Sequence, residues 1–549
     1  MGINSSRLIL IGLSVLCIAV VVWSRFGFLT ENFGNFDVAG IVYNAELILD
    51  GGMPYRDTFE IKPPFLFYLF ALIFQTFEPS LIYVRLIWGV WLLVSCALIY
   101  GICRRLYDLE KEKFREKYVY RDIFPALAAL LLAVYGTMFD INYASWLVLP
   151  LSLSVYAFIR AQKGHATAWL LVCGASASIA FLTKNPGGFV VVVFLILKLG
   201  RVLRKPSWKE IKRAMGVLIL IAVGCLLALL PLVAYYGLQG ELRSLINGLL
   251  PGWILKGVLS AKTGSSGSYL VFQNLGRGLV QVFRLFPLPT ISVLIVMAVM
   301  LIRRSFLGLY GFFALTWFVV SFFSVVITGG RFYPHHAVLY LPSLVVLAVH
   351  PGVVLEIIRS IRKIQERWLK SAATAGCLLI VFIGFVLAYQ NISQDNRRFY
   401  DWPAPVGKPE PQRIIGELIR KNTKPDDTII AWGWFAWPVY HWSGRRSPSP
   451  VYKEMGILTT VSTNTEWTLS SPIHFVPSQI ADQYLRDVKA KRPAFVVISN
   501  WYPFISRTEP LLEFAGLVAF LKEDYIIQGD LQGFRILRRK DHPLRTALR

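Results

Sequence analysis

Long apolar runs alternate with short polar segments over the first 390 residues of the chain. About 20 apolar residues in a helix cross the ~30 Å hydrocarbon core of a bilayer, so this pattern predicts eleven membrane-spanning helices. The runs lie at about 8–23, 82–103, 123–139, 146–162, 167–183, 187–200, 214–236, 286–302, 306–328, 334–350 and 372–390. In the first run, Trp23 and Arg25 stand where a signal peptide would have small residues, so we predict an uncleaved helix.

The basic segments between the runs fix the predicted orientation. Segment 104–121 is strongly basic and is predicted to be cytoplasmic. This requires the run 64–77, which is too short to span, to lie in the outer interface. The first outside loop is then 25–81. A second outside loop, 237–285, is predicted to carry short surface helices.

The composition changes after residue 391. Residues 401–411 are rich in proline and are predicted to form a linker. Beyond it, 412–422 has helical spacing, while 428–434 and 493–499 are typical of strands. A two-stranded ending is predicted around Gln532-Gly533. The expected architecture is a polytopic α-helical membrane domain over 1–391, followed by a small extracytoplasmic α/β domain over 392–549.

Composition excludes several other classes of protein. Hydrophobic residues make up 55% of the chain and charged residues 16%, whereas soluble domains carry about 25% charged residues. The net charge of +24 could suggest nucleic-acid binding, but the basic residues follow the positive-inside pattern instead. All six cysteines lie in or beside apolar runs, so neither a disulfide framework nor a CxxC metal motif is predicted.

Two candidates for chemistry lie in the first outside loop. Asp37 follows the first span and is a candidate catalytic acid or base. The alternative is that it only stabilises the N-terminus of a helix, where a negative charge is favourable. Lys62 precedes Pro63-Pro64 at headgroup depth, where it could hold a lipid phosphate or merely snorkel to ordinary headgroups.

Further charged groups lie at the ends of spans on the same predicted face. Asp140 could be a second functional acid or a solvated helix end. Boundary cations are functional candidates by default, and the paired histidines are only a weak zinc signal. These groups are Arg85, Lys184, Arg331, His335 and His336. Carboxylates beside cations at phosphate depth suit sugar transfer from a phosphate, because a carboxylate handles the acceptor proton and cations stabilise the departing charge.

At this point the sequence resembles the GT-C glycosyltransferases that use polyprenyl-phosphate sugars. It is most similar to the bacterial branch related to protein O-mannosyltransferases and to the lipid A aminoarabinose transferase. The resemblance covers about 25–350 and rests on local matches in the same order. These are Asp37 with GGMPYRDTFEIKPPFLFYL, Arg85 with CRRLYD, FDINYASWLVLP with Asp140, FLTKNP with Lys184, and GGRFYPHHAVLYLP.

The resemblance implies a role for each candidate. Asp37 corresponds to the acid that acts as base or orients the acceptor, and Asp140 to a second loop acid. Lys62, Lys184 and the segment containing Arg331, His335 and His336 correspond to contacts with the donor phosphate. Arg85 corresponds to the arginine of the second span. No cofactor is implied, and a divalent metal is possible but not supported.

The sequence therefore predicts a plasma-membrane glycosyltransferase. It would move a sugar, with inversion, from a polyprenyl-phosphate donor to an extracytoplasmic glycan, lipid or protein. The alternative is a polytopic transporter or lipid flippase, although no internal repeat is visible. A non-enzymatic assembly or tethering subunit is a third possibility.

The topology can be tested by labelling. Eleven spans place the N-terminus in the cytoplasm and residues 391–549 outside. A cysteine introduced near residue 500 should react with an impermeant thiol reagent in intact cells whose outer membrane is permeabilised. Labelling that requires lysis of the cytoplasmic membrane would refute this topology.

Overall fold

The structure is a computed structural model, and its described residues cover most of the chain. They are 5–26, 31–33, 36–109, 120–137, 139, 141–162, 164–249, 267–303, 308–327, 334–350, 409–459, 474–499 and 510–544. The predicted eleventh span, 372–390, and Cys377 lie outside these residues.

Helices dominate the first 350 residues. They are α1 (Ser5–Phe26), α2 (Phe36–Leu49), α3 (Phe65–Thr76), α4 (Leu81–Leu109), α5 (Tyr120–Gly136), α6 (Val148–Arg160), α7 (Ala166–Thr183), α8 (Val190–Arg204), α9 (Trp208–Leu238), α10 (Leu242–Leu249), α11 (Gly267–Leu285), α12 (Pro287–Arg303), α13 (Gly308–Ile327) and α14 (Leu341–Ala348). Three 3-10 segments, Ser145–Leu147, Asn185–Phe189 and Pro334–Leu339, lie beside α6, α8 and α14.

The first ten predicted spans each coincide with helical structure, which confirms the polytopic helical class. Among the described helices, five are long and apolar enough to cross a membrane alone. They are Leu81–Leu109, Ala166–Thr183, Asn185–Arg204, Trp208–Leu238 and Gly308–Val326. A sixth candidate is the pair Gly278–Leu285 and Pro287–Ala298, which is bent by 113°. The number of crossings remains a prediction.

The tenth predicted span is not one continuous α-helix. Residues 334–339 form a 3-10 helix, and α14 begins only at Leu341. Pro342 occupies the first turn of α14, where proline is tolerated because its missing N–H has no partner there anyway. Apolar periodicity alone cannot place such a break.

The chain forms two compact units. The first combines residues 1–30, 82–240 and 252–396, and the second combines 31–81, 241–251 and 397–549. The first-loop segment with α2 and α3 therefore belongs to the same compact unit as the C-terminal tail.

Within the second unit, α3 is a short apolar helix beginning after Pro63-Pro64. Its 12 residues would span about 18 Å. It packs against α2 and buries Leu66, Phe67 and Phe70. The location of this segment in the membrane interface remains a prediction. A helix of this length is shorter than the ~30 Å hydrocarbon core, as the prediction requires.

The tail carries a four-stranded sheet with helices around it. The helices are α15 (Pro411–Asn422), α16 (Pro438–Ser443), α17 (Gln479–Lys491), α18 (Pro510–Glu513) and α19 (Ala515–Asp524). The strands are β1 (Ile429–Trp432), β2 (Phe495–Ser499), β3 (Tyr525–Leu531) and β4 (Phe534–Arg539), in the order β1-β2-β4-β3. The predicted helix, both predicted strands and the two-stranded ending are all present.

The sheet contains one parallel and two antiparallel strand pairs. Strands β1 and β2 are parallel, with Ile429 opposite Phe495, while β4 is antiparallel to both β2 and β3. The turn between β3 and β4 is Gln532-Gly533, and both residues have positive φ, as tight hairpins require. Two buried apolar clusters cover the sheet, one around Val496 and Ile498 and one around Phe495 and Val497. This alternation is expected for a strand buried on both faces.

The tightest contact in the helical unit is between α7 and α9. A Cβ on Gly174 would lie 1.9 Å from the carbonyl oxygen of Ile221, and one on Gly224 would lie 2.2 Å from that of Leu171. The two backbones therefore approach each other through glycine, as is common between membrane helices.

Alanine at these glycines should disrupt the packing. Gly174→Ala and Gly224→Ala should each destabilise the protein by about 1–3 kcal/mol through overpacking, measured as thermal unfolding in detergent. Gly216→Ala in α9 is the matched control, because its added Cβ would meet nothing within 4 Å. The control should be neutral or stabilising by up to ~1 kcal/mol. Equal melting temperatures for all three variants would contradict the close approach.

Candidate active site

Asp37 lies in the first turn of α2, where an acid is favoured by the helix dipole. Asp37, Gly40 and Asn44 share one face of this helix, because they are spaced three and four residues apart. Gly40 leaves room for the tail: its Cβ would lie 2.9 Å from the Tyr452 hydroxyl and 3.7 Å from Glu60 Oε2. The face that carries Asp37 therefore turns toward Glu60 and Tyr452.

Glu60, in the first-loop motif, forms a buried ion pair with the tail. Its side chain is fully buried, and that of Lys453 is 6% exposed. Lys453 Nζ donates to both carboxylate oxygens of Glu60 at 2.5 Å, and the Tyr452 hydroxyl donates to Oε2 at 2.5 Å. A buried charge without such partners would cost several kcal/mol, so the pair fixes the two segments to each other.

Hydrogen bonds hold the rest of the motif in place. The backbone N–H groups of Ile61 and Lys62 donate to Glu60 Oε1 at 2.7 and 3.1 Å. The Tyr55 hydroxyl donates to the Lys62 carbonyl at 2.6 Å, and the Phe59 N–H donates to the Pro450 carbonyl at 2.9 Å. Tyr55 has φ +66°, an uncommon conformation for a residue with a side chain. Such strain persists where the surroundings over-determine it.

Electrostatics link Lys453 to both first-loop candidates. Burial lowers the pKa of Lys453, whereas Glu60 and Asp37 raise it and Lys62 lowers it. Asp37 and Lys62 are both half-buried. The structure thus brings these two predicted residues into the surroundings of one buried ammonium group.

A buried acid adjoins this group in sequence. Burial raises the pKa of Glu454 to about 7, against the smaller effect of its hydrogen bonds. The Trp437 indole donates to Glu454 Oε2 at 3.3 Å, and its ring lies 5.7 Å from Lys453 Nζ.

Two further tail residues hold the other end of α2. The His441 ring is bonded to Glu46 at 2.5 Å, and Arg446 pairs with both Glu46 and Asp50. The Arg446 guanidinium also lies 5.1 Å from the Tyr43 ring, which stacks on Tyr452 at 4.2 Å. The tail therefore contacts α2 from Gly40 to Asp50.

In the helical unit, Lys184 lies at a sharp break between helices. It follows α7 in extended conformation, and the 3-10 segment Asn185–Phe189 begins directly after it. A Cβ on Gly187 would lie 2.6 Å from the Ala180 carbonyl and 2.8 Å from Leu147, so glycine permits this turn. The Lys184 side chain is half-buried.

The three 3-10 segments meet at one end of this unit. The segment 145–147 packs against 334–339 and against α7. Trp146 also accepts a hydrogen bond through its carbonyl from the Trp91 indole of α4, at 3.0 Å. His335 and His336 are half-buried, with ring centroids 4.5 Å apart. Arg85, near the start of α4, is buried to 2% exposure.

The predicted residues thus fall into two groups. Asp37 and Lys62 belong to the second unit, whereas Arg85, Lys184, His335 and His336 belong to the first. Asp140 and Arg331 lie outside the described residues, although Phe139 and Ile141 flank Asp140 in the structure. Among the residues described, no group of three or more His, Cys, Asp or Glu side chains is placed to hold a metal ion.

Several residues around Asp37 were not predicted as site residues. They are Gly40, Asn44, Glu60, Tyr452 and Lys453. The spacing of Asp37, Gly40 and Asn44 in a mostly apolar helix was a usable signal. No sequence signal pointed to Tyr452 and Lys453, since they lie almost 400 residues after Glu60 in the chain.

Known proteins share this architecture. The family of dolichyl-phosphate-mannose-protein mannosyltransferases matches residues 61–235. The crystal structure of ArnT from Cupriavidus metallidurans bound to undecaprenyl phosphate is 15% identical with a TM-score of 0.56, covering 96% of this chain and 98% of that one. The chain has the GT-C glycosyltransferase fold.

A second GT-C structure extends this comparison. The archaeal oligosaccharyltransferase AglB from Archaeoglobus fulgidus, in complex with an inhibitory peptide and a dolichol-phosphate, is 14% identical with a TM-score of 0.51. The match covers 99% of this chain and 75% of AglB. No curated protein sequence matches the chain.

These findings confirm the predicted resemblance and fold class. The family match and the shared fold support an enzyme that transfers glycosyl groups at a membrane. The matched range contains Lys62, Arg85, Asp140 and Lys184, whereas Asp37 precedes it.

The Glu60–Lys453 pair can be tested by removing one charge or both. Lys453→Met leaves a buried carboxylate unpaired and should destabilise the protein by about 3–5 kcal/mol. The double variant Glu60→Gln/Lys453→Met removes both charges and should recover most of that loss. Thermal unfolding in detergent measures both effects.

The matched control is Arg535→Met. It breaks an ion pair with Asp530 in which the side chains are 42% and 54% exposed, so it should cost only about 0–1 kcal/mol. If Lys453→Met has the same melting temperature as Arg535→Met, the pair does not hold the two segments together. The same conclusion follows if the double variant is no more stable than Lys453→Met.

Proposed function

We propose that the protein transfers a sugar from a polyprenyl-phosphate donor to a hydroxyl group of an extracytoplasmic acceptor at the plasma membrane. The acceptor is a cell-envelope glycan, a lipid or a protein. The GT-C fold and the mannosyltransferase family match support this class of reaction. The polyprenyl phosphates present in the ArnT and AglB structures support the donor class.

The observation that carries the assignment is the position of Asp37. It is half-buried at the start of α2, on the face directed at the Glu60–Lys453 pair. A carboxylate held there can accept the proton of an attacking hydroxyl. We assign Asp37 as the general base and Asp140 as an acid that helps to position the acceptor.

Cations are assigned to the leaving phosphate. Lys62 is a flexible point charge in a loop that the Glu60 hydrogen bonds hold in place. Lys184, Arg85, Arg331, His335 and His336 are assigned the same role, in line with their places in the family resemblance. Negative charge on the phosphate grows as the sugar departs, so these cations would stabilise the transition state more than the bound donor.

The stereochemistry follows from these roles. Asp37 activates the acceptor on one face of the sugar, and the phosphate leaves from the opposite face. One displacement of this kind inverts the anomeric carbon. A covalent sugar–enzyme intermediate has no place in this scheme.

The test is the rate at which membranes containing the protein release polyprenyl phosphate from polyprenyl-phosphate hexoses or pentoses. General-base assistance contributes about 10²–10⁴-fold, so Asp37→Asn should lose activity by that factor while its melting temperature is preserved. Asp482→Asn, the same change at an exposed position of α17, should keep full activity.

A loss below tenfold for Asp37→Asn at matched protein level would place the base elsewhere, with Asp140 next. If the wild-type protein moves the intact donor across the membrane without releasing polyprenyl phosphate, the transporter or flippase alternative replaces the transferase.

A further inference from the structure

The backbone of Lys62 is bonded on both sides. Its N–H donates to Glu60 Oε1 at 3.1 Å, and its carbonyl accepts from the Tyr55 hydroxyl at 2.6 Å. Pro63 follows, and a residue before proline is restricted to extended conformations. Two neighbours therefore fix the backbone that carries the Lys62 side chain. The tail holds one of them, Glu60, through its ion pair with Lys453.

Helix α10, at the start of the predicted second outside loop, supports the other neighbour, Tyr55. A Cβ on Gly248 of α10 would lie 2.2 to 2.5 Å from three carbons of the Tyr55 ring. Leu245, three residues earlier on the same face of α10, is also buried, whereas Ile246 is 56% exposed. The buried face of α10 therefore packs on the Tyr55 ring, and glycine permits this close approach.

Tyr55 adopts a backbone conformation that is uncommon for a residue with a side chain, with φ +66°. The ring contact with Gly248 and the hydroxyl bond to Lys62 are two interactions that hold it there. Burial and the nearby Glu60 carboxylate raise the pKa of Tyr55, so its hydroxyl keeps the proton that it donates. All of these residues belong to the second compact unit. The Tyr55 ring thus connects the position of α10 to the carbonyl of Lys62.

We propose that Tyr55, packed against Gly248, is a positioning residue for Lys62 and thereby controls how tightly the donor phosphate is bound. This inference rests on the proposed function, in which Lys62 binds that phosphate. A charge-assisted bond requires the ammonium to lie about 2.7–2.9 Å from a phosphate oxygen, so a displaced Lys62 backbone would weaken it. Helix α10 thereby acts on donor binding through Tyr55.

The test begins with removal of the Tyr55 hydroxyl. The affinity of the purified full-length protein for a polyprenyl phosphate of one defined chain length is measured in detergent by native mass spectrometry, and thermal unfolding is recorded alongside. Tyr55→Phe keeps the ring on Gly248, so it should melt within a few degrees of the wild type, but its Kd should rise about two- to tenfold. Tyr235→Phe is the matched control, because Tyr235 is 41% exposed near the end of α9, and it should bind like the wild type.

A double-mutant cycle shows whether Tyr55 acts through Lys62. Lys62→Met should itself weaken binding. Adding Tyr55→Phe to Lys62→Met should then cause no further loss, because the ammonium that Tyr55 positions is gone. A merely structural role of Tyr55 would lower the affinity by the same factor in both backgrounds.

Helix α10 is tested by Gly248→Ala, whose added methyl group has no room unless the Tyr55 ring moves. This variant should bind polyprenyl phosphate at least as weakly as Tyr55→Phe. Gly276→Ala in α11 is its control, because a Cβ there would meet nothing within 4 Å, and it should leave the affinity unchanged.

The outcomes separate this inference from the proposed function. Wild-type affinity in Tyr55→Phe, or equal losses in the two backgrounds, would overturn the inference and leave the transferase assignment intact. If Lys62→Met binds polyprenyl phosphate like the wild type, the inference fails together with the role assigned to Lys62. A wild-type protein that binds polyprenyl phosphate but releases none from polyprenyl-phosphate sugars would refute the transferase alone.

Discussion

The arrangement around Asp37 depends on one buried ion pair. Glu60 and Lys453 are both withdrawn from solvent, and each is the main ionic partner of the other. Two such charges are tolerated in a protein interior only when their geometry and hydrogen bonds are nearly complete, so their positions leave little freedom. The Tyr452 hydroxyl and two backbone N–H groups complete the coordination of Glu60. The segment carrying Lys62 and the face of α2 carrying Asp37 are consequently held by the tail.

This arrangement gives the C-terminal domain a role in the proposed chemistry. A tail attached by a linker could have been an independent binding module. Instead, it supplies Tyr452 and Lys453 to the surroundings of the first loop, and Glu454, with its raised pKa, follows them in sequence. A separate set of contacts, from His441 and Arg446, holds the opposite end of α2. The first-loop motif, residues 51–69, and the tail are therefore expected to fold together.

The sequence predicted the elements better than their partners. Apolar periodicity placed α7 to within one residue and α4 and α9 to within six, and strand β2 was visible as a short apolar run, because these patterns are local. The break before α14 was missed because a 3-10 turn and an α-helix can have equally apolar sequences. The pairing of Glu60 with Lys453 could not be inferred, since the two residues are 393 positions apart and a charged residue gives no sign of burial. The positions of Asp37 and Lys62 made them candidates and the family resemblance implied their roles, but neither indicated the residues that hold them.

Amide hydrogen exchange of residues 58–62 tests the central claim most directly, namely that the tail holds the first-loop motif in place. The wild type and Lys453→Met are compared well below their melting temperatures, with a peptide from α7 as the internal reference. The account predicts faster exchange at Phe59, Ile61 and Lys62 in the variant, because their amides bond to Pro450 and Glu60, while α7 keeps its rate. Unchanged exchange at residues 58–62 in the folded variant, or an equal increase in α7, would contradict it.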